Sequence, residues 1–244
     1  MRMDANVPLI RLREIRFAYP YRPEVLRGID LDFFRGDRIG LVGANGSGKT
    51  TLFHIIMGLL RPKQGAIEIF GSQRREEKDF HQVREKIGLL FQDPDDQLFS
   101  PTVAQDVAFG PLNLGKSREE AMDIVHETLG VLGLSGFEER VTYQLSGGEK
   151  KLVSLATVLS MQPEVLLLDE PVAGLDESMT ERFMTFLKDS GLSYIIVSHD
   201  HDFLLNTTES LYQIKDGRLR KLGKDGQSVQ KQVKFKPIES CISP

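Results

Sequence analysis

The chain opens on an alternating pattern. Ile10, Leu12, Ile15 and Phe17 place apolar side chains at roughly every second position, which predicts a strand with one buried face. After a turn carrying Pro20 and Pro23, residues 25–34 predict a second strand. Residues 38–42 (RIGLV) form a short apolar strand that runs into the glycine-rich stretch 43–48. A helix is predicted from Lys49 to about Met57, closed by Gly58 and Pro62. Residues 66–70 and 87–91 read as two further strands, and the mixed-charge stretch 74–86 between them as a solvated connection.

The period then changes. Ala121, Ile124, Val125, Thr128, Leu129 and Leu132 follow i, i+3, i+4 spacing, and Leu112, Gly115 and Lys116 divide 102–132 into two helices. Residues from about 93 to 161 are therefore expected to form a helical lobe inserted between strands of one sheet. Strand pattern resumes at 165–169, with a helix near 178–188, a strand at 194–198 and two short strands near 210–214 and 218–222. Strands and helices alternating at these lengths predict an α/β fold with a mostly parallel sheet covered on both faces. No internal repeat is present.

Composition narrows the class. Apolar residues make up 40% of the 244 and charged residues 27%, the balance of one globular domain, or of one carrying an inserted lobe. Asp and Glu (35) outnumber Lys and Arg (31), a net charge of −4, which argues against a nucleic-acid binder acting through a global basic field. The longest apolar runs, such as 165–168, fall far short of the roughly 18 residues a membrane span needs. Residues 1–8 carry Arg2, Asp4 and Asn6 and lead into no apolar run, unlike a signal peptide. The single cysteine, Cys241, allows no internal disulfide and fits a reducing compartment. A cytosolic globular protein is expected. The polar stretch 215–236 holds eight Lys or Arg and two Asp, which fits a solvated tail first and, second to it, a contact with a partner or with anionic lipid headgroups.

Two motifs carry chemistry. Gly43-Ala44-Asn45-Gly46-Ser47-Gly48-Lys49-Thr50 matches G-x-x-x-x-G-K-[ST] in full, after a strand and at a helix start. Glycines let backbone N–H groups converge on a polyphosphate at the positive end of a helix. Lys49 supplies charge to the β- and γ-phosphates, and the Thr50 hydroxyl suits Mg²⁺. A dinucleotide fingerprint fits less well, because its third glycine would fall on Thr51. A nucleoside triphosphate is the expected ligand. Downstream, the apolar run 165–168 ends in Asp169 and Glu170 at the carboxyl end of a strand, where parallel sheets bind ligands. Asp169 would orient Mg²⁺ through its water shell, and Glu170 would accept a proton from the attacking water.

A third motif separates this chain from other phosphate-loop proteins. In Leu145-Ser146-Gly147-Gly148-Glu149, Ser146 and Glu149 make a capping box that opens a helix running to about Ser160. Gly147 and Gly148 leave its first turn bare, a positive helix start able to receive a γ-phosphate. The turn lies far from the chain's own cradle in sequence, so it would serve the nucleotide of a second subunit.

With these motifs the sequence resembles the ATP-binding-cassette ATPases over about residues 9–222. LSGGE is similar to that family's signature, with Glu149 in place of the usual glutamine and Leu152 where an arginine often follows. The resemblance implies a phosphate-loop NTPase fold over 1–222: a mostly parallel central sheet, an N-terminal antiparallel β subdomain and a helical subdomain inserted at about 93–161, with 223–244 as a basic polar tail. It also implies ATP and Mg²⁺ as ligands, with Thr51 joining the phosphate loop. Tyr19 is similar to the aromatic that stacks on adenine, although a plain strand tyrosine fits the position too. Gln92 resembles the glutamine that touches Mg²⁺ and reports to the membrane partner, residues 173–176, ending in Asp176, the loop that crosses to the opposite subunit, and His199 the switch histidine near the γ-phosphate. A dedicated metal site at His199, Asp200, His201 and Asp202 is not expected, because His199 ends a strand while His201 and Asp202 begin a helix.

Residues 91–111 resemble the ATPases of energy-coupling-factor importers, in particular the cobalt and nickel branch. Asp93, Asp95 and Asp96 flank Leu98 and Phe99, which suits a groove for an amphipathic, arginine-bearing helix. The same residues fit a loop whose acids cap the following helix while Leu98 and Phe99 face the core. The importer resemblance implies a homodimer at the cytoplasmic face of the membrane, a membrane coupling subunit docking near 92–99 and a membrane substrate-capture subunit that binds the cargo. Cobalt is the first expectation, nickel the next and a vitamin the third. Two other classes stay open: a different ABC importer or exporter, and a cassette ATPase acting on nucleic acid or ribosomes. Against the latter, there is no sustained heptad between Lys49 and Asp169, and one cassette rather than two.

Overall fold

The computed structural model describes residues 7–222. Strand β1 (Ile10–Phe17) pairs antiparallel with β2 (Leu26–Phe33). The chain then crosses to β3 (Arg38–Val42), enters α1 (Lys49–Ile56) and returns as β4 (Gln64–Ile69) and β5 (Ser72–Gln73). The first sheet is antiparallel, with order β2-β1-β4-β5. Alternation along β1 slips between Leu12 and Ile15, where Glu14 takes a left-handed φ of 49° and the pairing to both neighbours shifts register. Such a bulge puts Leu12 and Ile15 on one buried face although they are three apart.

The second sheet has the order β10-β9-β3-β8-β7-β6. After α2 (His81–Lys86) come β6 (Ile87–Leu90), the helices α3 (Val103–Asn113), α4 (Arg118–Val131) and α5 (Gly147–Leu159), and then β7 (Val165–Asp169). The chain finishes with α6 (Glu177–Asp189), β8 (Ser193–Val197), α7 (His201–Thr207), β9 (Ser210–Lys215) and β10 (Arg218–Lys221). Strands β6, β7, β8, β3 and β9 are parallel, and only β10 runs the other way. Both faces of this sheet are covered by separate cores. Val165 and Leu167 of β7 join the cluster under α1 and the antiparallel sheet, while Leu166 and Leu168 join the cluster under α3, α4 and α5. That is why the strand reads as an unbroken apolar run.

Two details differ from the sequence expectation or go beyond it. The stretch 74–86 is not merely a solvated connection: a 3₁₀ turn (Glu77–Phe80) leads into α2, and Phe80 and Val83 are buried in the first core. Arg74 and Arg84 donate to backbone carbonyls of Ile69, Asp79 and Met57, and Phe80 fits because Gly58 leaves a socket; a Cβ at Gly58 would stand 2.2 Å from the ring. In α3, Pro111 lacks the N–H that would serve the carbonyl of Val107. The Ser160 hydroxyl donates to that carbonyl instead, at 2.8 Å, stitching α3 to the end of α5. The basic tail and Cys241 lie outside the described residues.

Candidate active site

The site is assembled at the carboxyl ends of β3, β7 and β8, which the parallel register brings side by side. From β3 the chain turns through Gly46 and Gly48, at left-handed φ of 76° and 106°, a region that favours glycine. Gly48 is also pressed against the start of β2, since a Cβ there would meet Leu26 at 2.6 Å. Lys49 is buried, and its Nζ donates back to the carbonyls of Gly43 (2.8 Å) and Ala44 (3.2 Å). The Ser47 hydroxyl is buried beside Gly43 without a hydrogen-bond partner.

Thr50 and Asp169 lie 119 residues apart in the chain, yet the Thr50 hydroxyl donates to Asp169 Oδ2 at 2.6 Å. Glu170 follows in a left-handed conformation, φ 48°, which is strained for a non-glycine residue. Its N–H still bonds Val197 O at 2.9 Å, so the strain turns the side chain out of the strand without breaking the ladder. Oε2 accepts from the His199 N–H at 3.3 Å. Oε1 is buried without a hydrogen bond, 3.4 Å from His199 Nε2. Burial pushes the Glu170 carboxyl above the ordinary glutamate range, opposed by the His199 N–H and by the charges of His199 and Lys49. A buried carboxylate with a free oxygen and a raised pKa suits proton acceptance.

Tyr19 packs edge-to-face on Phe17 (centroids 4.9 Å apart) and its hydroxyl meets Thr51 Oγ1 at 3.1 Å. Its ring therefore stands next to α1 and the phosphate loop. Gln92 is exposed, and its carbonyl oxygen accepts from Lys151 Nζ at 2.5 Å. Ser146 caps α5: its hydroxyl accepts from the Glu149 N–H at 3.3 Å, and Glu149 accepts from the Ser146 N–H at 2.8 Å. Arg140 holds the other Glu149 oxygen at 3.0 Å. The Ser146 N–H, the Ser146 hydroxyl and Arg140 hold the Glu149 carboxyl below its usual range, the Ser146 N–H most. A Cβ on Gly147 would meet nothing within 4 Å, whereas one on Gly148 would meet Met179 Sδ at 3.0 Å and Leu175 at 3.6 Å. The signature turn thus packs on the 173–176 loop. Asp176 caps α6, accepting from the Met179 N–H at 2.8 Å.

Lys49, Thr50, Asp169, Glu170 and His199 form one cluster, with Tyr19 at its border, while Ser146, Gly147, Gly148, Glu149 and Asp176 form another. Asp200 is committed to capping α7 through the Phe203 N–H, and His199 to Glu170. Among the described residues no group of three or more His, Cys, Asp or Glu is placed to hold a metal. A triphosphate with Mg²⁺ fits the residues present: hard oxygen donors on Thr50 and Asp169, an orphaned Ser47 hydroxyl and a buried lysine at the loop.

Residues 92–99 form a capped turn followed by one core residue and one exposed aromatic. Asp93 caps the 3₁₀ turn Pro94–Asp96 through the Asp95 N–H (3.0 Å), and Leu98 packs on the second core. Phe99, 67% exposed, stacks edge-to-face on Phe109 and lines a cleft of 350 Å³ with Asp95, Leu98, Pro101, Tyr143 and Lys150. Asp95 is paired with Lys150 at 2.6 Å. Sequence reasoning missed Lys151 and Gln97, which tie this loop to α5; no local pattern marks either, because residues 151–156 of α5 are buried all round.

Fold and site together define a phosphate-loop nucleoside triphosphatase. A family profile for ABC transporters matches residues 26–173. The energy-coupling factor transporter ATP-binding protein EcfA of Methanocaldococcus jannaschii is 43% identical over 219 residues, 88% of this chain and 78% of that protein. CbiO1 from Clostridium perfringens, described as part of the ABC transporter complex CbiONQ, superposes with a TM-score of 0.78 at 36% identity, covering 88% of this chain and 87% of that one. The dimeric ATP-binding cassette MJ0796, in a post-hydrolysis state with ADP and Pi, gives a TM-score of 0.79 at 26% identity, covering 87% and 97%. The chain belongs to the ABC transporter family and is an ATP-binding ATPase of it. No helix among the described residues is long and apolar enough to cross a membrane.

Proposed function

We propose that the chain is the ATPase subunit of an energy-coupling-factor importer, working as two identical copies at the cytoplasmic face of the membrane. The observation that carries this is the exposed, capped turn at Gly147, open on its outer side and packed on 173–176 rather than on the phosphate loop. Each ATP is held between Gly43–Thr51 of one copy and Ser146–Glu149 of the other, with Asp176 crossing at the same seam. Tyr19 stacks on the adenine, and Lys49 neutralises the β- and γ-phosphates. Thr50, Gln92 and, through water, Asp169 would hold Mg²⁺, which would supply charge neutralisation on the triphosphate. Glu170 accepts the proton of the attacking water, and His199 stands between Glu170 and the γ-phosphate. Phosphate loss reopens the pair.

The motion passes to a membrane coupling subunit seated at 92–99, where Phe99 offers an apolar face and Asp96 an exposed acid. A separate membrane capture subunit binds the cargo, cobalt ahead of nickel and a vitamin, so no cargo ligand is sought in this chain. The likeness to CbiO1 supports the metal branch. Glu170→Gln is expected to bind ATP, stall as a closed dimer and lose turnover. A variant that stays monomeric with wild-type hydrolysis refutes the reading. Purifying the membrane complex and identifying the ion or vitamin retained by its capture subunit assigns the cargo. ATPase stimulation by nucleic acid in the absence of any membrane partner would replace the transport reading.

A further inference from the structure

Lys151 is a charged residue in a place where charge is costly. Only 3% of it is exposed, in a stretch of α5, residues 151–156, that is buried all round. Its Nζ leaves the core for one purpose, donating to the carbonyls of Phe91 (3.3 Å) and Gln92 (2.5 Å). The negative charges around it are Asp169, Asp93 and Glu170, so the ammonium sits between the 91–97 loop and the acidic end of β7. Gln97 makes the reciprocal tie. Its Oε1 accepts from the Phe91 N–H at 3.2 Å, and its Nε2 donates to Ser154 O (2.7 Å) and Thr157 Oγ1 (2.8 Å) on the same helix. The backbone that carries Gln92 is thus held on α5 from both sides, and α5 begins at the signature turn.

We infer that Lys151 is a positioning residue for hydrolysis: held on the Gln92 carbonyl, it fixes where the Gln92 side chain stands relative to Thr50 and Asp169, and it makes the loop and the signature helix move as one piece. The inference rests on the reading of Gln92 as a metal-touching residue given above. Without the ammonium, the Phe91 and Gln92 carbonyls lose their donor and two strand-end carboxylates lose a nearby positive charge. The loop then samples several positions, and the divalent ion is bound more weakly while ATP itself is not.

The test uses the full chain in the Glu170→Gln background, with Mn²⁺ as probe, the free-ion paramagnetic signal reporting Mn²⁺ binding to the protein–ATP complex. Lys151→Met should weaken Mn²⁺ binding about tenfold and leave metal-free ATP binding within about twofold. Gln92→Ala should do the same, and the double variant should be no worse than Gln92→Ala, because both act through one side chain. Lys151→Arg should recover part of the loss. In the chain with Glu170 intact, kcat should fall while the KM for ATP holds. Lys151→Gln, which keeps a donor for one carbonyl, is read in the same way should the methionine variant not fold. If Gln92→Ala weakens Mn²⁺ and Lys151→Met does not, or if the two losses add, the role of Lys151 is wrong. If Gln92→Ala leaves Mn²⁺ binding unchanged, the underlying reading of Gln92 fails.

Discussion

Gly147→Ala separates what the fold needs from what the function needs. Gly147 opens α5, is exposed and is absent from the left-handed positions, so alanine adopts its backbone without strain. The added Cβ meets nothing within 4 Å inside the chain. Replacing glycine by alanine at such a position stabilises by about 0.5 kcal/mol, chiefly by restricting the unfolded chain. For a domain of this size that raises Tm by about 1–2 °C. If the partner's γ-phosphate approaches this turn, the same methyl stands where the oxygens must come and costs one charge-assisted hydrogen bond, about 1.5–3 kcal/mol. Turnover then falls about 10–150-fold. The assay is paired: thermal unfolding without nucleotide, and phosphate release with ATP. Light scattering of Glu170→Gln with and without Gly147→Ala reports the ATP-bound dimer, which the second change should abolish. A Gly147→Ala protein that is both more stable and fully active refutes the shared-pocket reasoning.

Four further outcomes follow from particular contacts. Because burial raises the Glu170 pKa, a base at this position loses activity on acidification earlier than an ordinary carboxylate, and the rate should climb with pH through that raised value. The raised value means the folded state holds the proton more tightly than the unfolded one; the stability contributed by Glu170 is present below the ordinary glutamate range and is lost as pH rises through the folded pKa. Glu170→Gln should therefore melt higher than wild type at neutral pH, with the gap closing in acid; equal melting at both pH values counts against the buried-carboxylate account. Phe80→Ala should cost about 3–5 kcal/mol in urea unfolding, since its ring fills the socket over Gly58; a cost below about 1 kcal/mol would restore the solvated-connection picture of 74–86. Tyr19→Ala should weaken ATP binding by about 1–3 kcal/mol while Tyr19→Phe keeps it, although both lose the bond to Thr51; equal losses would assign the effect to that bond and not to stacking.

Much of this protein is written in contiguous stretches. The phosphate loop, the capping box at Ser146 and Glu149, and the apolar strand ending in Asp169 are local patterns: each depends on hydrogen bonds within a few residues or on the two-residue period of a strand. They name the class before any coordinates exist, and the strand and helix order follows with ends shifted by a residue or two. Three features were not legible this way. Phe80 and Val83 look like two apolar residues in a charged connection, and only the socket at Gly58 makes them core. Lys151 looks like one more basic residue after the signature, and only the path of 91–97 across α5 turns it inward. Ser160 answers a carbonyl left open by Pro111 on a different helix.

The distinction has a simple physical cause. A side chain's local conformation is set by neighbours in sequence, which the chain states directly. The meeting of Thr50 with Asp169, or of His199 with Glu170, depends on which strands lie adjacent and in what register. That is settled by burying two cores on opposite faces of one sheet, a sum over the whole chain that no short stretch contains. Sequence alone pointed to a triphosphate ligand and to Glu170 as the proton acceptor; tertiary structure decided that one Glu170 oxygen is buried without a hydrogen bond and that Lys151 holds the loop beside it.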